Sequence, residues 1–222
     1  MTDVVPVKTV SQFSIVSNKY ARMMVAALGL SLVLVSNPID SIADQNLTVH
    51  MFQHIGLFIF SILFGYALHK LLVIRLASLK RVTSKGWAAY IAIIKFNTKT
   101  KGLVFAGLVP AFFFTFWNYP SYFDLAVTNG YVHILEHLSY IVAGGLVGLS
   151  LSAIPRKYKA LLLALGFMMC GMMGSMMLVW PPGFYPVFSA AQNTDMSSAM
   201  MLFGAAGMVG VGSWFAKILD IV

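Results

Sequence analysis

Two stretches of this chain pair histidines four residues apart: HMFQH at 50–54 and HILEH at 133–137. Between them they hold four of the five histidines. On a helix, residues four apart share a face. His50 and His54 then point one way, and so do His133 and His137. Imidazole nitrogens bind Zn, Cu, Fe and Ni, and this spacing lets both rings reach one ion. Glu136 trails His133 by three and borders the same face. It can bridge, accept a proton or orient a ring. The five residues His50, His54, His133, His137 and Glu136 are the candidate metal ligands. His69 stands alone beside Lys70 and reads as an interface residue.

The elements that must position these residues are membrane helices. The 222 residues are 59% hydrophobic and 10% charged, with mean hydropathy +0.82. An ordinary soluble domain is about 25% charged. The expected fold is all-α, an integral membrane bundle of six helices forming a single transmembrane domain over 1–222. A spanning helix needs about 20 apolar residues. The expected spans are about 20–36, 51–74, 102–117, 131–154, 160–180 and 197–216. The segment GWAAYIAIIKF, 86–96, is too short to span and suits an interfacial helix.

Charge sets the orientation. With six spans, all 15 Lys and Arg fall on one side. The positive-inside rule makes that side cytoplasmic, with both termini inside. The net charge of +8 is therefore topology and attraction to anionic membrane lipid, not a nucleic-acid footprint. The opposite side carries Asp40, Asp44, Asp124 and Asp195 without a Lys or Arg. Spans two and four run in the same direction, so both histidine pairs start at the extracytoplasmic surface of the cell membrane, at similar depth. No packing rule requires that coincidence, and it points to one shared site.

Further donors surround this level. Asp124 and Asp195 lie in the outer loops. Span five holds GFMMCGMMGSMML, with one stripe of Met168, Met172 and Met176 and another of Met169, Met173 and Met177. Met176, Met177 and Met200 come closest to the histidine level. Thioethers select Cu(I), which favours copper over zinc. Methionine is also an adaptable core filler, and the small residues between the methionines invite close helix packing. Cys170 is the one cysteine, so an intrachain disulfide and a CxxC site are excluded.

HMFQH resembles the HMxQH signature of the CtaG-type cytochrome oxidase assembly family. HILEHLSYIVAGGLVG is similar to the second histidine helix of that family, and PGFYPVFSAAQNTDMSSAMMLFG loosely resembles its later region. The resemblance covers roughly Val49 to Gly207. An archaeal family of uncharacterised small membrane proteins is similar too, and closer in length. The resemblance implies copper delivery or insertion during assembly of a haem-copper oxidase.

Three functions compete. The first is a non-enzymatic copper-binding membrane protein that serves assembly of a respiratory or other copper-containing membrane enzyme. The second is a non-catalytic accessory subunit of a larger membrane oxidase or copper monooxygenase complex. The third is a membrane zinc metalloprotease, because HILEH matches the H-x-x-E-H pattern in which Glu is general base. A transport path fits less well, since nothing titratable sits in the middle of a span.

Overall fold

The computed structural model describes residues 10–78, 88, 92, 96, 100–180 and 183–218. Eight helices and no strand occur among the described residues: α1 (Val10–Leu34), α2 (Asn37–Ala43), α3 (Leu47–Ser78), α4 (Thr100–Trp117), α5 (Pro120–Thr128), α6 (Gly130–Ala153), α7 (Arg156–Val179) and α8 (Ala190–Ile218). The regular structure of the described residues is thus all α, as expected. The expected interfacial helix at 86–96 lies outside the described residues except for Ala88, Ala92 and Phe96.

Among the described residues, four helices are long and apolar enough to cross a membrane: Leu47–Val73, Gly130–Ser152, Tyr158–Val179 and Ala190–Trp214. The first expected span is instead a bent pair, Asn18–Leu34 and Asn37–Ala43, which meet at 54°. Pro38 causes the break, because proline cannot continue a helix but suits its first turn. The expected span at 102–117 is a shorter apolar helix, Val104–Trp117, with Pro110 inside it. The last helix begins at Ala190, seven residues before the expected 197. Ser189 and Asn193 close its first turn with hydrogen bonds that the hydropathy of QNTD conceals.

Glycine sets the packing of two helix pairs. Along α6, a Cβ on Gly144 would meet the Phe58 carbonyl of α3 at 2.5 Å, and one on Gly148 would collide with the Ile62 carbonyl. Gly65 on α3 faces the Gly145 backbone equally closely. The α7/α8 pair uses Gly174 against Ser197 and Gly204 against Gly171. Small residues let helix backbones touch where lipid gives no hydrophobic drive to association. α1 and α4 lean on the α3/α6 pair, and α3 also touches α8.

Lysines and tyrosines meet at the basic end of the bundle. Lys70 Nζ donates to the Ser152 carbonyl at 2.9 Å, at the C-terminal end of α6 where a cation suits the helix dipole. Lys70 and Lys159 both approach the Tyr66 ring, which also packs on Tyr20 of α1. His69, expected at the interface, is buried.

Candidate metal centre

Each helix that carries a histidine pair starts on an asparagine cap. Asn46 Oδ1 accepts from Val49 N–H at the head of α3. Asn129 Oδ1 accepts from the Tyr131 and Val132 N–H groups at the head of α6. Such caps satisfy amides that a helix start leaves open. They set the depth of each pair, and the glycine contacts then hold α3 and α6 side by side. The four histidines and Glu136 converge between them.

His50 and His54 have ring centroids 4.5 Å apart, and His133 and His137 4.2 Å apart. Across the helices, His50 stacks on His133 at 5.2 Å, and His54 meets His137 at 5.1 Å. Glu136 is fully buried. Its oxygens lie 3.4 Å from His54 Nδ1 and 3.9 Å from His50 Nε2. One donor atom from each of His50, His54, His133 and Glu136 falls within 4.8 Å of the others. Ligands held about 2.0–2.2 Å from one ion lie at most about 4.4 Å apart. A contraction of a few tenths of an ångström therefore fits these four around an ion.

Hydrogen bonding tests that fit. His50 Nε2, both nitrogens of His54, His133 Nε2, His137 Nε2 and both oxygens of Glu136 are buried without a hydrogen bond. An orphaned buried polar atom costs about 1–3 kcal/mol, and native structures hold few of them. Seven such atoms around the cluster suit a cation, which takes a lone pair from one donor atom of each ligand. The buried His/Glu cluster can hold a metal ion.

Surrounding residues fix the rings. Tyr140, one helical turn below His137, stacks on His54 at 4.8 Å. Its hydroxyl accepts from Asn118 Nδ2 at 3.3 Å, and Asn118 Oδ1 accepts from Tyr185 at 3.0 Å. Phe123 of α5 lies edge-on to His50 at 4.9 Å and stacks on Tyr185 at 3.8 Å. Asn193 holds the segment carrying Tyr185 by binding its N–H and its carbonyl. α5 and residues 183–189 thus roof the cluster. Burial pushes the Tyr185 hydroxyl up, well above its ordinary range, so it stays a neutral donor.

The remaining candidates divide. Asp124 sits on α5, where burial raises its carboxyl and the Val187 N–H partly offsets that rise. Asp195 is exposed on α8. Among the described residues, neither belongs to a group of side chains within reach of one ion. Met177 and Met200 are buried with Met51, Met173, Met196 and Cys170 in a core cluster between α3, α7 and α8. Met168, Met172 and Met176 face outward. Two acids that the loops disguise stand closer to the rings. Asp40 Oδ1 lies 4.0 Å from His133 Nε2, and Asp44 Oδ1 3.8 Å from His133 Nδ1. Gln53, the fourth residue of HMFQH, donates to Asp40 Oδ1 and to the Leu34 carbonyl, each at 2.8 Å. Its place three residues after His50, on the same face, was the available signal for that role.

Below the cluster, an apolar cleft of about 680 Å³ runs from His54 and Tyr140 between α4 and α7, past Phe58, Leu162 and Phe167. Its polar groups gather at the histidine end.

No curated protein and no solved structure matches the chain significantly. A family match does extend through both histidine helices and the cap of residues above them. Over residues 25–220, the chain belongs to the family described as protein of unknown function (DUF1404).

Proposed function

We propose that this is a copper-binding membrane protein that delivers or inserts copper during assembly of a larger copper-containing membrane enzyme, such as a respiratory oxidase. One observation carries the metal reading: His50, His54, His133 and Glu136 converge with buried, unpartnered donor atoms. Copper is preferred over zinc because thioethers of Met51, Met173, Met177 and Met200 pack in the adjoining core. The likeness of HMFQH and HILEH to the CtaG-type pattern supports the assembly role.

The proposed topology has six spans, both termini in the cytoplasm and the metal centre on the extracytoplasmic side of the cell membrane. α4, with 18 residues, is about 27 Å long, close to the hydrocarbon thickness of about 30 Å. The bent α1–α2 pair supplies the first crossing. All described Lys and Arg residues then share the end away from the histidines. The metalloprotease alternative is disfavoured by the position of Glu136. A general base needs a water and a peptide within reach, whereas Glu136 is fully buried between His50 and His54.

The test is metal content of the detergent-purified protein by mass spectrometry, beside His54→Ala and His133→Ala. Copper at one or more per chain, reduced in His54→Ala and lost in His133→Ala, is the expected result. Zinc lost in the same way transfers the reading to a zinc protein. Absence of both metals after loading removes the metal function. Stoichiometric co-purification with a large complex would make the protein a resident accessory subunit instead of a transient factor.

A further inference from the structure

The donors around His133 form two sets. The first is the buried one, His50, His54, His133 and Glu136. The second is Asp40, His133 and His137, whose donor atoms also fall within 4.8 Å of one another. Asp40 and His137 do not join the first set, so one ion cannot collect all six side chains. His133 belongs to both.

We propose that Asp40, His133 and His137 form a second, solvent-facing metal subsite that shares His133 with the buried centre and receives the ion before it. This deepens the metal-binding reading and rests on it. His137 and His133 are each more than nine-tenths buried, and the Nε2 atom of each lacks a hydrogen bond. Asp40 comes from α2, beyond the Pro38 bend, and its side chain is 35% exposed. A metal-binding carboxylate is commonly oriented by a hydrogen bond from behind. Gln53 Nε2 supplies that bond at 2.8 Å. A carboxylate has about four acceptor positions, so Asp40 holds Gln53 and an ion together. Three ligands, of which Asp40 alone is partly exposed, leave room for water on the ion, the arrangement of an exchangeable site. The four inner ligands are shut away from water, the arrangement of a retaining one. Asp44, 3.8 Å from His133 Nδ1, adds negative charge at the entrance. The ligand class is a borderline or soft transition-metal cation with imidazole and carboxylate preference.

The experiment loads the metal-free full-length protein in detergent with excess Zn(II), a redox-inert probe, then desalts it and counts bound ions by mass spectrometry. Wild type is expected to hold two per chain, with His133 releasing its ring proton to solvent and bridging the ions through its two nitrogens. Asp40→Asn is expected to hold one, as is His54→Ala, each losing a different ion. The double variant is expected to hold none. Asp40→Asn keeps an acceptor for Gln53, so its circular dichroism and gel-filtration profile should match wild type. One ion in wild type, kept in Asp40→Asn and lost in His54→Ala, overturns the second subsite and leaves the buried centre standing. Two ions lost together in Asp40→Asn also overturn it, since the sites would not be separate. No ion in wild type removes both readings.

Discussion

Asp44 shows how the entrance charges act on the protein before any ion arrives. Burial raises its carboxyl above the usual range, the neighbouring His133 pulls it down, and Asp40 raises it further. The net rise means that the folded state disfavours the ionised form. The resulting penalty is present at neutral pH and disappears below the ordinary carboxylate range of about 4. Asp44→Asn in the metal-free protein should therefore raise the melting temperature at pH 7 by about 1–3 °C. The side chain is 46% exposed, so solvent screens the effect and keeps it small. The gap from wild type should close as the pH falls towards about 4. A lower melting temperature for the variant at pH 7 would mean that the His133 pair outweighs burial.

At the scale of elements, the α3/α6 contact decides whether the two histidine pairs meet. Gly148→Ala places a methyl group against the Ile62 carbonyl, where nothing flexible can yield. It should cost about 1–3 kcal/mol and reduce bound metal without touching a ligand. Gly145→Ala is the control, because a Cβ there meets nothing within 4 Å. Its thermal stability should stay within about 0.5 kcal/mol of wild type. Comparing both variants by thermal melting and metal content separates helix spacing from general helix effects. The same contact explains what was legible in the sequence. The period of four in HMFQH and HILEH put each pair on one face, and the shared direction of the spans put both at one level. Tyr140, three residues after His137, lay on that face too. Asp40 was hidden because its position depends on a 54° bend, which hydropathy does not register. Asn118, Tyr185 and Asn193 were hidden because hydrogen bonds across 67 residues, as between Tyr185 and Asn118, leave no local pattern. The methionine stripes were visible as stripes, but only packing shows that Met173 and Met177 face the core while Met172 and Met176 face away.

At the scale of the whole molecule, the two ends carry different chemistry. Among the described residues, α2 and α5 hold Asp40 and Asp124, and neither they nor residues 183–189 hold a Lys or Arg, while Lys70, Arg156, Lys159 and Lys217 sit at the other end. In a Cys170→Ala background, Thr128→Cys should react with a membrane-impermeant maleimide on intact cells. Lys217→Cys should react only after permeabilisation. The reverse pattern would invert the orientation and put the metal centre inside the cell.

The cleft beneath His54 has an electrical consequence. Its walls are almost wholly hydrocarbon and aromatic beyond Asn118 and Tyr140, so the buried centre meets a weakly polarisable medium on that side. A medium of low dielectric penalises charge steeply as charge rises. A redox-active ion bound there would favour its lower oxidation state, and its midpoint potential would climb above that of the same ligands in water. The fold thus biases the electron count of its guest through the emptiness of its polar surroundings as much as through the ligands themselves.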